Sequence, residues 1–267
     1  MRNDAAGGRS EERAGASTLL ELPDRVREPS EQRRLALAVL EAWLKVCPAG
    51  PIALGQESEP VLSALARGWA SSTIHAFAAG PLTIPEATAA IGRPDREPMV
   101  ASRVQAMESV GLLAASPTTR TGEAERLEAT DWLRRGMGPL AAAARLEAAE
   151  GREDATQIDE LDVEAAFLLS LPLVRGLPEE MSSSCRLTVM VPGRRPRLAG
   201  VAVLIERGKI ASVSPDLTLW SDTYASGAAL DWLDTLIDPS SPKLDVGGAL
   251  DVPLALLDGL HEALFGL

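Results

Sequence analysis

The sequence predicts a chain in two parts: a mainly α-helical first part carrying a helix-turn-helix and hairpin, and an α+β second part built on an antiparallel sheet. Three observations predict this. Leu62, Leu65, Ala66, Trp69, Thr73, Ala76 and Phe77 recur at the i, i+3, i+4, i+7 spacing that lines one helix face. From Cys185 the period changes to 2, with Cys185, Leu187, Val189 and Val191 alternating against Arg186, Thr188 and Met190. Apolar residues make up 46% of the 267 residues and aromatics only 3%, so Leu, Ala and Val must build a closely packed core.

Residues 1–30 mix Gly, Ala, Ser and charge and read as a disordered tail. Ser30 is placed to cap a first helix whose stripe is Ala36, Leu40, Trp43, Leu44 and Cys47. Two partners are open to that stripe, its own domain or the same helix of a second copy. Next comes a long helix over Leu62 to Phe77, stopped by Gly80-Pro81. Leu82-Thr83-Ile84 reads as a brief strand, and Pro85 fits the first turn of a helix ending at Ile91. After the turn Gly92 to Asp95, a helix from Pro98 turns Val100, Val104 and Met107 inward. It leaves Met99, Ser102, Arg103, Gln105 and Ser109 outward. Leu112 to Ala115 and Glu125 to Ala129 then form two strands around a turn-rich loop carrying Arg120.

Three helices followed by a strand pair is the order of a winged helix-turn-helix, whose last helix enters the DNA major groove. A plain helical bundle with a surface hairpin gives the same pattern. In the first reading Ser102, Arg103, Gln105 and Ser109 face bases and phosphates, Arg96 stands in the preceding turn, and Arg120 reaches phosphate or minor groove from the wing.

Several steps occur in the order seen in one family: Cys47-Pro48, Ala64 to Trp69, Gly80-Pro81-Leu82-Thr83, Ser102 to Glu108, Gly111-Leu112 and Thr130 to Gly136. Over residues 35 to 150 the chain resembles the HxlR-type winged-helix regulators. It departs in having Gly68 where that family carries Lys before the Trp, and in a longer, proline-containing turn with Asp95 and Glu97. The resemblance implies binding to double-stranded DNA as a homodimer held by terminal helices. It also implies a thiol redox sensor at Cys47; a small buried apolar side chain is the plainer reading of that residue.

Asp131 is placed to cap the next helix, with Trp132, Leu133, Leu140 and Leu146 on its apolar side. Gly136-Met137-Gly138-Pro139 should kink or split it. Gly151 to Gln157 reads as a linker, and residues 151–181 join the helical part (31–150) to the second (182–267). Within that join, Leu161 to Leu173 is helical. Cys185 to Val191, Leu198 to Ile205 and Ile210 to Val213 form a meander, and Leu217 to Trp220 is a fourth strand. A helix with Leu230, Leu233, Leu236 and Ile237 inward follows, then a short strand at Leu244 and Val246, then a last helix capped by Asp251. Glu206 to Ile210, Ala225-Ser226-Gly227, Trp232-Leu233, Leu244 to Gly248 and Leu256 to His261 resemble the sterol-carrier type of domain. That resemblance implies an apolar cavity between sheet and helices for a hydrophobic small molecule, with Val189, Val203, Leu233, Leu257, Leu260 and Leu264 at its walls. A filled core is the alternative.

Net charge is −12. Residues 1–150 hold 17 Lys and Arg against 20 Asp and Glu, and residues 151–267 hold 9 against 18, so most of the acidity belongs to the second part. DNA binding therefore works against long-range repulsion, and modest, strongly salt-dependent affinity is expected. No apolar run is long enough to span a bilayer, and the first residues lack the apolar stretch of a signal peptide, so a cytoplasmic protein without membrane contact is expected. His75 and His261 are isolated, no metal-ligand or phosphate-loop spacing occurs, and Ser182 to Ser184 lacks a nucleophile elbow. Neither metal, cofactor nor enzymatic activity is expected. The favoured reading is a dimeric DNA-binding regulator; the rival is a carrier or scaffold that keeps the fold without binding DNA.

Overall fold

The computed structural model describes residues 30–92, 96–118, 124–150, 160–191, 197–218, 221–240 and 242–266. The N-terminal tail to residue 29, the loop with Arg120, the linker 151–157, the turn 192–196 and Trp220 lie outside them. In chain order the helices are α1 (Glu31–Lys45), α2 (Glu59–Ala70), α3 (Thr73–Ala78), α4 (Ile84–Ala90) and α5 (Glu97–Ser109). The strands β1 (Leu113–Ala115) and β2 (Leu127–Ala129) follow, then α6 (Asp131–Arg135), α7 (Met137–Glu150) and α8 (Glu160–Ser170). The last part runs β3 (Ser183–Val191), β4 (Arg197–Glu206), β5 (Lys209–Ser214), β6 (Tyr224–Gly227), α9 (Ala229–Ile237), β7 (Asp245–Gly247) and α10 (Asp251–Phe265). This is an α+β protein with one two-stranded and one five-stranded sheet.

Local chemistry sets most of the boundaries. The Ser30 hydroxyl accepts from the Arg33 N–H and starts α1. Thr83 and Glu86 form a reciprocal capping box at α4. The expected long helix over Leu62 to Phe77 is instead two, because Ser72 sits at φ 60°, in the left-handed region. Beside it the Ser71 hydroxyl bonds the Gly68 carbonyl and the Thr73 hydroxyl, a local alternative to the helical ladder. The chain splits at Gly136 into α6 and α7 as the glycines suggest. Two expected caps are corrected. Thr130, not Asp131, accepts from the Leu133 N–H, and α10 begins without a side-chain cap, Asp251 lying in its first turn.

The large sheet has the order β5-β4-β3-β6-β7 and is mixed, not antiparallel throughout. β3, β4 and β5 form the meander, but β6 returns beside β3 in the same direction, with Arg186 opposite Tyr224 and Val189 opposite Gly227. The expected strand at Leu217 to Trp220 does not form at its start. Leu217 and Thr218 lie in a turn, where the Asp216 carboxylate accepts from both the N–H and the hydroxyl of Thr218. The fourth strand starts seven residues later than expected, at Tyr224–Gly227.

A single cluster of buried apolar side chains runs through both parts, from Ala36 and Trp43 on α1 to Leu260 and Leu264 on α10. α1 lies along α7, α7 meets α9 and α10, and α3 packs on α8. Gly138 permits one of these contacts, since a Cβ there would stand 2.5 Å from the Leu264 carbonyl oxygen. The Arg134 guanidinium reaches the Leu169 carbonyl and that of Arg135 the Ala263 carbonyl, so α6 is also tied to the second part. Asp234 on α9 pairs with Arg145 on α7 and with Lys243. Burial opposes its ionisation, but the Lys243 ammonium and the Arg145 guanidinium outweigh it and hold the carboxyl below the usual carboxylate range.

Candidate nucleic-acid interface

The helix pair α4–α5 and the hairpin β1–β2 are joined by one backbone bridge. The Leu82 N–H donates to the Leu127 carbonyl and the Leu127 N–H donates back to Leu82, both at 2.9 Å. Leu82 thus lies along β2 on the side away from β1, so the residue just before α4 is part of the hairpin's ladder. Thr130 closes the other end, its hydroxyl donating to the carbonyls of Gly111 and Leu112. Val100, Val104 and Met107 bury α5 completely on one side. Gly68 on α2 receives it there, with Met107 Sδ 2.9 Å and Ile74 3.1 Å from where a Cβ would stand. A side chain at this position would require Met107 and Ile74 to shift.

Away from that buried side, Ser102, Gln105 and Ser109 are exposed, while Arg96 and Arg103 are half-buried. Ser109 gives its hydroxyl proton to the Ala106 carbonyl within the helix. α5 therefore brings together four of the six residues expected at DNA, with Arg96 at its N-cap; Arg120 lies outside the described residues. Arg126, a further cation on the hairpin, is engaged elsewhere. Its guanidinium bonds Glu86 at 2.6 Å and the Pro81 carbonyl at 3.0 Å. The Thr83 N–H, then the Thr83 hydroxyl and Arg126, hold the exposed Glu86 carboxyl below its usual range. Glu97 and Glu108 stand exposed on α5 itself.

The six residues expected around an apolar cavity are all buried. Leu233 and Leu264 line a space of about 50 Å³ with Trp69, Asp162 and Trp232. Val189, Val203, Leu257 and Leu260 are part of the filled core. A space of that size is far below the roughly 300–1,000 Å³ of a drug-sized ligand's pocket. At its edge His75 Nε2 lies 3.2 Å from the Asp162 carboxylate, and Trp69 meets the His75 ring edge-on. Neither residue's spacing in the sequence signalled that pairing.

Cys47 is buried at 7% exposure just after α1. Cys185 is fully buried in β3, and burial pushes its thiol up to about 12. Both thiols are therefore expected to resist iodoacetamide in the native protein and to react on unfolding. Rapid native labelling of Cys47 would restore the sensor reading. The helices expected at a dimer interface also have another use: the stripe Ala36, Leu40, Trp43, Leu44 packs against α7 of the same chain, leaving Leu35 and Val46 exposed.

Among the described residues, no helix is long and apolar enough to cross a membrane, and no group of three or more His, Cys, Asp or Glu is placed to hold a metal ion. In comparisons with protein-family models, curated proteins and solved structures, nothing matches the chain.

Proposed function

We propose that this protein is a DNA-binding regulator whose α5 enters the major groove of duplex DNA while the β1–β2 hairpin lies against the backbone. The Leu82–Leu127 bridge carries the reading. A strand residue before the first helix of the pair, laddered to the second hairpin strand, is the arrangement of a winged helix-turn-helix, and it leaves the polar side of α5 open. Three of the steps that resemble the HxlR-type regulators, Gly80 to Thr83, Ser102 to Glu108 and Gly111-Leu112, fall on or beside these elements. Arg103 and Arg96 would meet phosphates, and Ser102 and Gln105 the base edges. Because α1 and α7 bury their stripes on each other, a homodimer would associate through other surfaces, and sedimentation with and without DNA counts the copies. A hydrophobic effector would enter beside Leu233 and Leu264 and would have to part α7, α8 and α9, the helices that carry α1 and α6. Such coupling needs a ligand that prefers one of the two arrangements.

The test is a binding titration with Arg103→Ala. Arg103 is half-buried on the flank of α5 and bonds no base in this reading, so its loss should weaken all duplexes alike. The salt slope should shrink by about 1. An unchanged affinity and slope would remove Arg103 from the interface.

One observation favours a second reading, a scaffold that does not bind DNA. The hairpin cation Arg126 is neutralised by Glu86, and the chain as a whole carries −12. On that reading no duplex binds at any salt.

A further inference from the structure

Resting on the DNA reading above, we infer that α5 selects A·T base pairs, with Gln105 reading adenine and the methyl groups of Met99 and Ala106 reading thymine. The inference comes from which side chains the helix turns outward. At about 100° per residue, the side opposite Val100, Val104 and Met107 carries Pro98, Met99, Ser102, Gln105, Ala106 and Ser109. All six are exposed, Met99 at 43%. The charged residues of α5 stand on its flanks, Arg103 on one and Glu97 and Glu108 on the other, where phosphates pass.

Each base pair shows its own pattern in the major groove, and the outward set matches one kind. Guanine is read by Arg or Lys at O6 and N7, and the outward set has neither. Cytosine is read by Asp or Glu accepting from N4, and the outward set has neither of these. A glutamine amide meets both N7 and N6 of adenine, and Gln105 is the one amide on the outward side. The thymine of the same pair presents its C5 methyl, an apolar surface that an exposed Met or Ala side chain covers. Ala106 is next to Gln105, and Met99 lies about two turns towards the N-terminus on the same side. Ser102 bonds any base and does not bias the choice. The Ser109 hydroxyl is engaged with the Ala106 carbonyl.

Selection of the full chain from a randomised duplex library tests this. The expected result is enrichment of adjacent A·T pairs at the core of the site. For Gln105→Ala, discrimination of A over G at one position should fall about tenfold or more. Replacing the thymine by uracil, which lacks the methyl, should weaken the wild-type protein severalfold and Met99→Ala less. Gln105 and Met99 are exposed, so both variants should melt with the wild type, and that is checked first. Sites rich in G·C, or A·T sites indifferent to Gln105→Ala, would overturn the base assignment while leaving DNA binding intact. Failure to bind any duplex in the library would sink the DNA reading and this assignment with it.

Discussion

Trp43→Ala is expected to destabilise the protein by about 3–5 kcal/mol, among the largest single-residue effects in the chain. Trp43 has no exposed surface and stacks on Trp132 at 4.6 Å between ring centroids, with planes 15° apart. The pair is doubly bonded as well. The Trp43 indole N–H donates to the Trp132 carbonyl at 2.8 Å, and the Trp132 indole N–H donates to the Trp43 carbonyl at 3.0 Å. Truncation therefore opens a cavity between α1 and α6 and also takes a donor from a buried carbonyl. Trp43→Phe keeps the ring and loses the donor, so it should cost less. Urea unfolding of the three proteins measures both. A loss under about 1 kcal/mol for Trp43→Ala, well below the range for a buried tryptophan, would mean that the stack does not form.

Trp232→Ala is expected to cost a similar amount, about 3–5 kcal/mol, from the other part of the chain. Trp232 is fully buried, donates its indole N–H to the Thr188 carbonyl at 2.8 Å, and meets Phe167 edge-on at 4.7 Å. It thus joins α9 to β3 and to α8. Because one apolar cluster runs from α1 to α10, its loss should lower the unfolding of the whole chain in one transition. Helix content and tertiary probes should then change together. Two separate transitions, with only one shifted by Trp232→Ala, would show that the two parts unfold independently.

Which features were legible in the sequence depends on how far apart the interacting residues are. The buried side of α5 could be read because Val100, Val104 and Met107 are a helical repeat, and the α1 cap because Ser30 adjoins the stripe it starts. The meander β3–β4–β5 followed from its alternation. The break at Ser72 was hidden by an apolar period that continues across it, since Thr73 and Phe77 stay buried on the same side. β6 was missed because Tyr224–Gly227 is only four residues, three of them small, whose strand character comes from lying beside β3. At the candidate site, the outward polar residues of α5 were visible, but the fate of Arg126 was not. Its partner Glu86 is 40 residues away, and the Leu82–Leu127 bridge brings their segments together. The same holds for Asp162 and His75. The size of any cavity was not legible for a related reason: a helix face rich in Leu looks alike whether it lines a space or fills one.

Whether α5 reads duplex DNA is decided by a titration of the purified protein with DNA from the promoter of its own gene and with unrelated DNA, at low and moderate salt. Preference for the first is expected, with affinity falling steeply as salt rises because arginines beside α5 would displace counterions from the phosphates. Equal, salt-insensitive binding to both, or none to either, would contradict it.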